Sequence, residues 1–457
     1  MGAQSKRVDR PVGGSVHWPA DDVSVLRGGR QSDWWHPSAV QALDFVNARA
    51  RQSASDMSLT ACVTNTRDSA AWMSDDAGGA QSFAANGLAR IAGIGVDVEG
   101  EFTNKIRNPR GEGGTVGTIG SGGAMPVNWS IALAMSGCAT SFAGSGVENG
   151  QPYTDIRIAG TLSGASPFIL AMEVQNNAAA VPGQVWGADV GVRLLSGTTT
   201  GLASFILRII DTPTFNTVAA SSSILPTSAY AQFFAKGNVV AAGATAVHPR
   251  LYINSLNNGA VIDATIRIYA PKLMQLAAMA SYMPAYPILP VIGAPADSTR
   301  SADTLSCTDF SWFAQAGLDS GASELVAIRL SHNGDQASRC LFEYSDGTTE
   351  NYIRGVINAA DHVELSIKTD GVLQATAVLT SSISAAKQAF GFGWSAVGGY
   401  VTNGSETVSF GPVTLPALTQ KKIGNGFSAP TLNDVVRQVQ ACALLTDAQA
   451  ASWAASV

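Results

Sequence analysis

Charge is scarce in this chain. Only 14% of its 457 residues are Asp, Glu, Lys or Arg, and the net charge is −6. That balance argues against a general nucleic-acid binder, which concentrates basic residues in a patch. No run of about 18 apolar residues is present, so no membrane-inserted helix is expected. Cysteine is sparse too. Cys62, Cys138, Cys307, Cys340 and Cys442 are odd in number, widely spaced and never arranged as Cys-x-x-Cys. The pattern fits reduced thiols in a protein assembled in a cytosol, with Cys307 and Cys340 the nearest to a bridging pair. Also missing are His-Glu-x-x-His, Gly-x-Ser-x-Gly and a phosphate loop ending in Gly-Lys-Ser/Thr. The five histidines, His17, His36, His248, His332 and His362, stand alone. Residues 1–14 hold Lys6, Arg7 and Arg10 without a following apolar core, which is unlike a secretory signal.

What is abundant is apolar and small. Hydrophobic residues make up 46% of the chain and glycines number 47, enough for packed cores and too apolar for a disordered chain. The length suits about three domains.

Residues 1–35 lack periodicity and carry Trp18, Trp34 and Trp35 with no evident core to enter; large rings on an irregular arm need a partner surface. Ser38-Ala39-Val40-Gln41 reads as a capping box. Val40, Leu43, Val46 and Ala50 continue it at helical spacing, so one helix is expected over about 38–51. Two readings stand: arm and helix dock the chain onto a larger particle, or the helix caps the first sandwich.

Beyond residue 56 the signals turn to β-structure. Short strands flank a turn-rich Asp-Asp-Ala-Gly-Gly at 75–79, and the Gly-rich stretch 111–124 reads as a flexible connector. Eight β-type runs between residues 125 and 280 mean a sandwich or jelly roll. Ile156-Arg157-Ile158, Val192-Arg193-Leu194, Leu207-Arg208-Ile209 and Ile266-Arg267-Ile268 each place Arg between two aliphatics. Since alternate strand residues face opposite ways, Tyr153, Asp155 and Arg157, with Thr265, Arg267 and Tyr269, form a polar, aromatic face. Such a face suits sugar, with rings stacking on pyranoses and Asp and Arg bonding hydroxyls. A solvated sheet or a subunit interface with cross-strand ion pairs looks the same.

Residues 281–298 form a Pro-rich linker. A second sandwich follows over 299–420, with Asp370-Gly371 as a hairpin turn. Thr431-x-x-Asp434 and Thr446-x-x-Gln449 read as caps of two short helices within 421–457, with Leu432, Val436, Val439 and Ala443 as the buried stripe. Carboxylate pairs such as Glu148 with Asp155, or Glu343 with Glu350, could serve a glycosidase only at a suitable separation in space.

One stretch carries a resemblance. Val96, Val98, Glu99, Gly100, Thr103, Asn104, Ile106, Arg107, Asn108 and Pro109, approached by Asn86-Gly87-Leu88-Ala89-Arg90-Ile91, resemble a signature of tail-fibre and head-spike-fibre proteins of phages and prophages of alphaproteobacteria. Asn128-Trp129-Ser130 and Gly146-x-Glu148-Asn149-Gly150-x-Pro152-Tyr153-x-Asp155-Ile156-Arg157 resemble the carbohydrate-binding-module-like jelly roll that follows it in those proteins. Thr299-Arg300-Ser301-Ala302-Asp303 resembles the opening of their concanavalin-like or laminin-G-like sandwich. The resemblance implies a mainly β protein of two tandem antiparallel sandwiches, with an N-terminal attachment region over 1–110 and short C-terminal helices. It implies a non-enzymatic virion component, assembled in the host cytoplasm as a homotrimer, that meets other virion proteins through its N-terminal region and a host surface polysaccharide through its sandwiches. A head-decoration or connector role without ligand, or a glycan hydrolase, are the alternatives. Candidate glycan contacts are Trp129, Tyr153, Asp155, Arg157, Trp186, Arg267 and Tyr269; candidate attachment residues are Trp18, Trp34 and Trp35. No metal or cofactor is expected.

Overall fold

The computed structural model describes residues 35–53, 55–74, 80–164, 166–256, 259–276, 297–330, 338–383, 387–427, 431–432 and 434–457. They group into two compact units, one of residues 103–276 with 297–298, the other of 35–102 with 299–457. The protein is mainly β, built of antiparallel sheets with few short helices.

In the first unit a seven-stranded sheet runs in the order Gly122–Gly123, Gly117–Ile119, Cys138–Glu148, Gln151–Thr161, Val261–Leu276, Val185–Thr198 and Ala231–Asn238. A six-stranded sheet runs Ser130–Leu133, Phe168–Ala171, Ala246–Ser255, Leu202–Thr212 and Thr217–Ala220, with Ala178–Ala179 pairing beside it. Alternate residues supply one core: Phe142, Ile156, Val190, Phe233 and Ile266 from the first sheet, Leu170, Phe205, Leu207 and Leu251 from the second. All eight expected strands are present. The Gly-rich stretch 111–124 is not a free connector, because two of its segments are strands of the seven-stranded sheet. Its glycines permit close packing: a Cβ at Gly111 would lie 1.8 Å from Thr154 Oγ1, and one at Gly123 would lie 2.1 Å from the Gly117 carbonyl oxygen.

The second unit stacks a ten-stranded sheet on a seven-stranded one around Phe45, Trp312, Phe342, Phe392, Trp394 and Val439. Asp370-Gly371 makes the expected two-residue hairpin, with φ of 49° and 79° between the paired Thr369 and Val372.

Two helix expectations fail here. Residues 38–51 form strands Ala39–Asp44 and Arg49–Gln52, paired as a hairpin, and Asp434–Ala443 is a strand rather than the first C-terminal helix. The cause is shared. Ala39–Asp44, Gly95–Val98 and Gly321–Arg329 all pair with Asp434–Ala443, which is buried along nearly its whole length. A strand covered on both faces shows no alternation, and its apolar residues happened to fall at helical intervals. Only Asp447–Ser456 is helical, closed by the reciprocal capping box of Thr446 and Gln449. Residues 39–102 thus belong with 299–457 rather than forming a region of their own. Most of the Pro-rich linker and the 75–79 turn lie outside the described residues, although Ala71–Ser74 and Ala80–Phe83 on either side of that turn do pair. Among the described residues no helix is long and apolar enough to cross a membrane.

Candidate functional site

The phage-fibre-like signature is scaffold in both units, the boundary falling between Phe102 and Thr103. In the second unit Asp97 and Glu99 are buried at 2% exposure each, and strand Gly95–Val98 is buried along its whole length. Arg300 and Asp303, from the second recognised motif, meet them. Arg300 Nη2 lies 2.6 Å from Asp303 Oδ2 and 3.5 Å from Asp97 Oδ2, and its Nε lies 3.4 Å from Glu99 Oε2. Asp303 also accepts from Arg67 Nη1 at 2.5 Å, Asn65 Nδ2 at 3.1 Å and the Glu99 amide at 3.0 Å. Burial, then the neighbouring Glu99, pushes the Asp97 pKa well above the usual carboxylate range.

In the first unit Asn104 accepts from the Leu273 amide and donates to the Pro271 carbonyl. Arg107 holds Glu173 through its backbone and side chain, at 2.7 Å each. Asn108 donates to the carbonyls of Glu112 and Val127 while its own carbonyl accepts from the Trp129 indole at 2.9 Å. These residues lock loops together.

The polar face foreseen from the Ile-Arg-Ile alternation is assembled by strand register. Tyr153 pairs with Tyr269, Asp155 with Arg267 and Arg157 with Thr265; on the next strand Gly191 pairs with Tyr269 and Arg193 with Arg267. All project from the sheet surface opposite the core. Asp155 takes a two-pronged bond from Arg267 at 2.9 and 2.8 Å, which raises the Arg267 pKa through that hydrogen bond first. The Arg267 guanidinium lies 3.4 Å from the centre of the Tyr153 ring.

Glu148, at the end of strand Cys138–Glu148, accepts from Arg193 Nη2 at 2.6 and 2.9 Å and from the Tyr269 hydroxyl, and its Oε1 lies 3.2 Å from Arg267 Nη1. Partial burial works against its charge, but the bonds from Tyr269 and Arg193 outweigh it and hold its pKa below the ordinary value. A glycosidase acid needs the opposite shift. The Tyr269 hydroxyl is pushed up to about 12 by burial, then by its bond to Glu148. Tyr230 packs beside Tyr269, ring centres 5.3 Å apart, and stays 37% exposed. Arg157 with Asp263, at 2.9 and 3.1 Å, continues the face into solvent.

Of the candidate residues, Tyr153, Asp155, Arg157, Arg267 and Tyr269 therefore share one face. Trp129 and Trp186 do not: they are 5% and 1% exposed, members of the core, with no ring face open to a ligand. Sequence reasoning missed Arg193 and Tyr230. Arg193 lies in the same aliphatic-Arg-aliphatic pattern; Tyr230 carries no signal. Of the attachment candidates, Trp18 and Trp34 lie outside the described residues, while Trp35 is half-buried with the Arg51 guanidinium 4.3 Å from its ring centre. All five cysteines are free, and the described residues contain no group of three His, Cys, Asp or Glu placed to hold a metal ion.

No protein-family model matches this chain, and no curated protein matches it. Solved structures with similar parts include the CBM40 of the Ruminococcus gnavus IT-sialidase bound to α2,3-sialyllactose, at 12% identity and a TM-score of 0.25, covering 30% of this chain and 86% of that one. The tripod from the baseplate of bacteriophage Tuc2009 is similar at 13% identity and 0.24, covering 59% and 83%. Mouse laminin α1 domains LG4-5 are similar at 9% identity and 0.22, covering 62% and 89%.

Proposed function

We propose that this chain is a non-enzymatic structural protein of a tailed-phage particle, a fibre or spike, that adheres to a host surface glycan through the outer face of its seven-stranded sheet. The observation that carries the adhesive part is the convergence of Tyr153, Tyr230, Arg193 and Glu148 on one sheet face, above Arg267 and Tyr269, which are themselves buried at 8% and 5% exposure and support the others from beneath. Flat rings give a pyranose an apolar platform, and charged groups beside them bond its hydroxyls. The virion role rests on the signature across residues 96–109 and the Thr299–Asp303 motif, with residues 1–35 as the attachment arm and the assembly a homotrimer. Linked copies of a weak site raise avidity by about 10²–10⁴.

A ligand-free decoration or connector role is favoured by one observation: Asp155 and Glu148 already have arginine partners. Light scattering and a glycan array on the full-length chain separate the readings. A trimer that binds glycans without cleaving them, and loses binding in Tyr153→Ala and Tyr230→Ala, supports the adhesin; a monomer that binds nothing overturns it.

A further inference from the structure

The other outer face of the first sandwich is built differently. On the six-stranded sheet, Arg208 of strand Leu202–Thr212 stands directly opposite Arg250 of strand Ala246–Ser255. Their outer neighbours are the small Ala220 and Ala171, so that a row of four strands reads Ala, Arg, Arg, Ala. Like charges placed directly opposite each other destabilise a sheet. Elsewhere in this unit Arg107, Arg110, Arg157, Arg193 and Arg267 each have a carboxylate partner. Among the described residues, none forms an ion pair with Arg208 or Arg250.

Acids at neighbouring strand positions are engaged elsewhere, although Asp211 Oδ2 has no partner of its own. Asp211 accepts from Thr214 and the Asn216 amide, and Glu173, two residues beyond Ala171, is held by Arg107. Instead, Arg208 Nε is buried without a partner, and Arg250 Nε donates at 2.6 Å to His248 Nε2. His248 is therefore neutral, and its buried Nδ1 has no partner either. Aromatic rings flank the pair. The Arg208 guanidinium carbon is 4.4 Å from the centre of Tyr252 and that of Arg250 is 5.5 Å from Phe215, which is 51% exposed.

We propose that Arg208 and Arg250 form an oxyanion site that binds the carboxylate or sulfate of an acidic saccharide, with the sugar ring against Phe215. A bound anion converts the repulsion into two charge-assisted contacts. The site lies on the opposite sheet from the Tyr153–Tyr269 face and does not depend on that face binding anything.

The test is calorimetric titration of the full-length chain, at fixed ionic strength, with glucuronate, glucose 6-sulfate, glucose and inorganic sulfate. One or both sugar acids bind and glucose does not; which acid binds identifies the natural oxyanion. Arg208→Gln and Arg250→Gln each weaken binding by about tenfold or more, whereas Arg110→Gln leaves it unchanged. Arg250→Lys, which keeps the charge and the fold but not the planar fork, also weakens it. Failure of both sugar acids to bind, binding of inorganic sulfate alone, or full binding by the Arg208→Gln/Arg250→Gln double variant overturns the proposal.

Discussion

Two pairs of arginines show how differently one side chain is used in this molecule. Arg67 and Arg300 are sealed in the second unit at 1% and 3% exposure and share Asp303, with Asp97 and Glu99 alongside. Arg208 and Arg250 face each other on a sheet surface with no acid between them. A buried charge survives only with its countercharge in place, so the first pair can only be scaffold. A half-exposed pair without countercharge holds its charge ready for something outside the chain. The difference teaches that recognised motifs and ligand-facing residues need not coincide: Asp97 and Glu99 of the signature, with Arg300 and Asp303, lie in the sealed network.

The comparison breaks most visibly at Asp303. Asp303→Ala leaves Arg67 and Arg300 buried without their shared acid and is expected to cost about 3–5 kcal/mol, read by urea denaturation. Asp97→Asn, by contrast, removes a charge that burial and the neighbouring Glu99 already oppose, so its loss, read the same way, is expected to be smaller than that of Asp303→Ala. Equal losses in the two variants would mean that Asp97 is a full ionic partner.

On the seven-stranded sheet, Asp155→Ala deprives Arg267 of its two-pronged bond but leaves Glu148 within 3.2 Å. The expected loss is about 2–3 kcal/mol, below that of Asp303→Ala, which removes the acid paired with two buried arginines at once. Glu148 gives a smaller, pH-dependent effect. Its pKa is lowered in the fold from 4.5, so the stability it supplies is complete above that value and is lost as pH falls through the folded pKa. Thermal melts of wild type and Glu148→Gln should therefore converge as pH is taken below 4.5; curves that stay parallel would remove Glu148 from the pairing.

Alternation made the Tyr153–Tyr269 face legible, because strands with one buried side write their orientation into the sequence at every second residue. It failed for Ala39–Asp44 and Asp434–Ala443, where both sides are covered and the spacing of Val436 and Val439 fitted a helix equally well. Register was not legible at all. That Glu148 meets Arg193, or that Arg208 stands opposite Arg250, follows from which strands pair and at what offset, and no local pattern encodes that. Trp129 and Trp186 were misplaced for the opposite reason: an indole suits a sugar platform and a core equally, and only their burial in the core of the first sandwich decides.

The smallest expected effect is the most discriminating. Arg208→Gln forfeits the contact with Tyr252, about 0.5–1 kcal/mol, and relieves both an opposed like charge, about 0.2–1 kcal/mol, and a buried unpartnered Nε. Without ligand the variant should therefore be as stable as wild type or slightly more so, and any gain should shrink as salt screens the repulsion over about 10 Å at 0.1 M. Arg300→Gln should instead be strongly destabilising at every salt concentration, because its partners are sealed from ions. If Arg208→Gln proved as costly as Arg300→Gln, both arginine pairs would be scaffold, and the six-stranded face would have no charge to spare for a ligand.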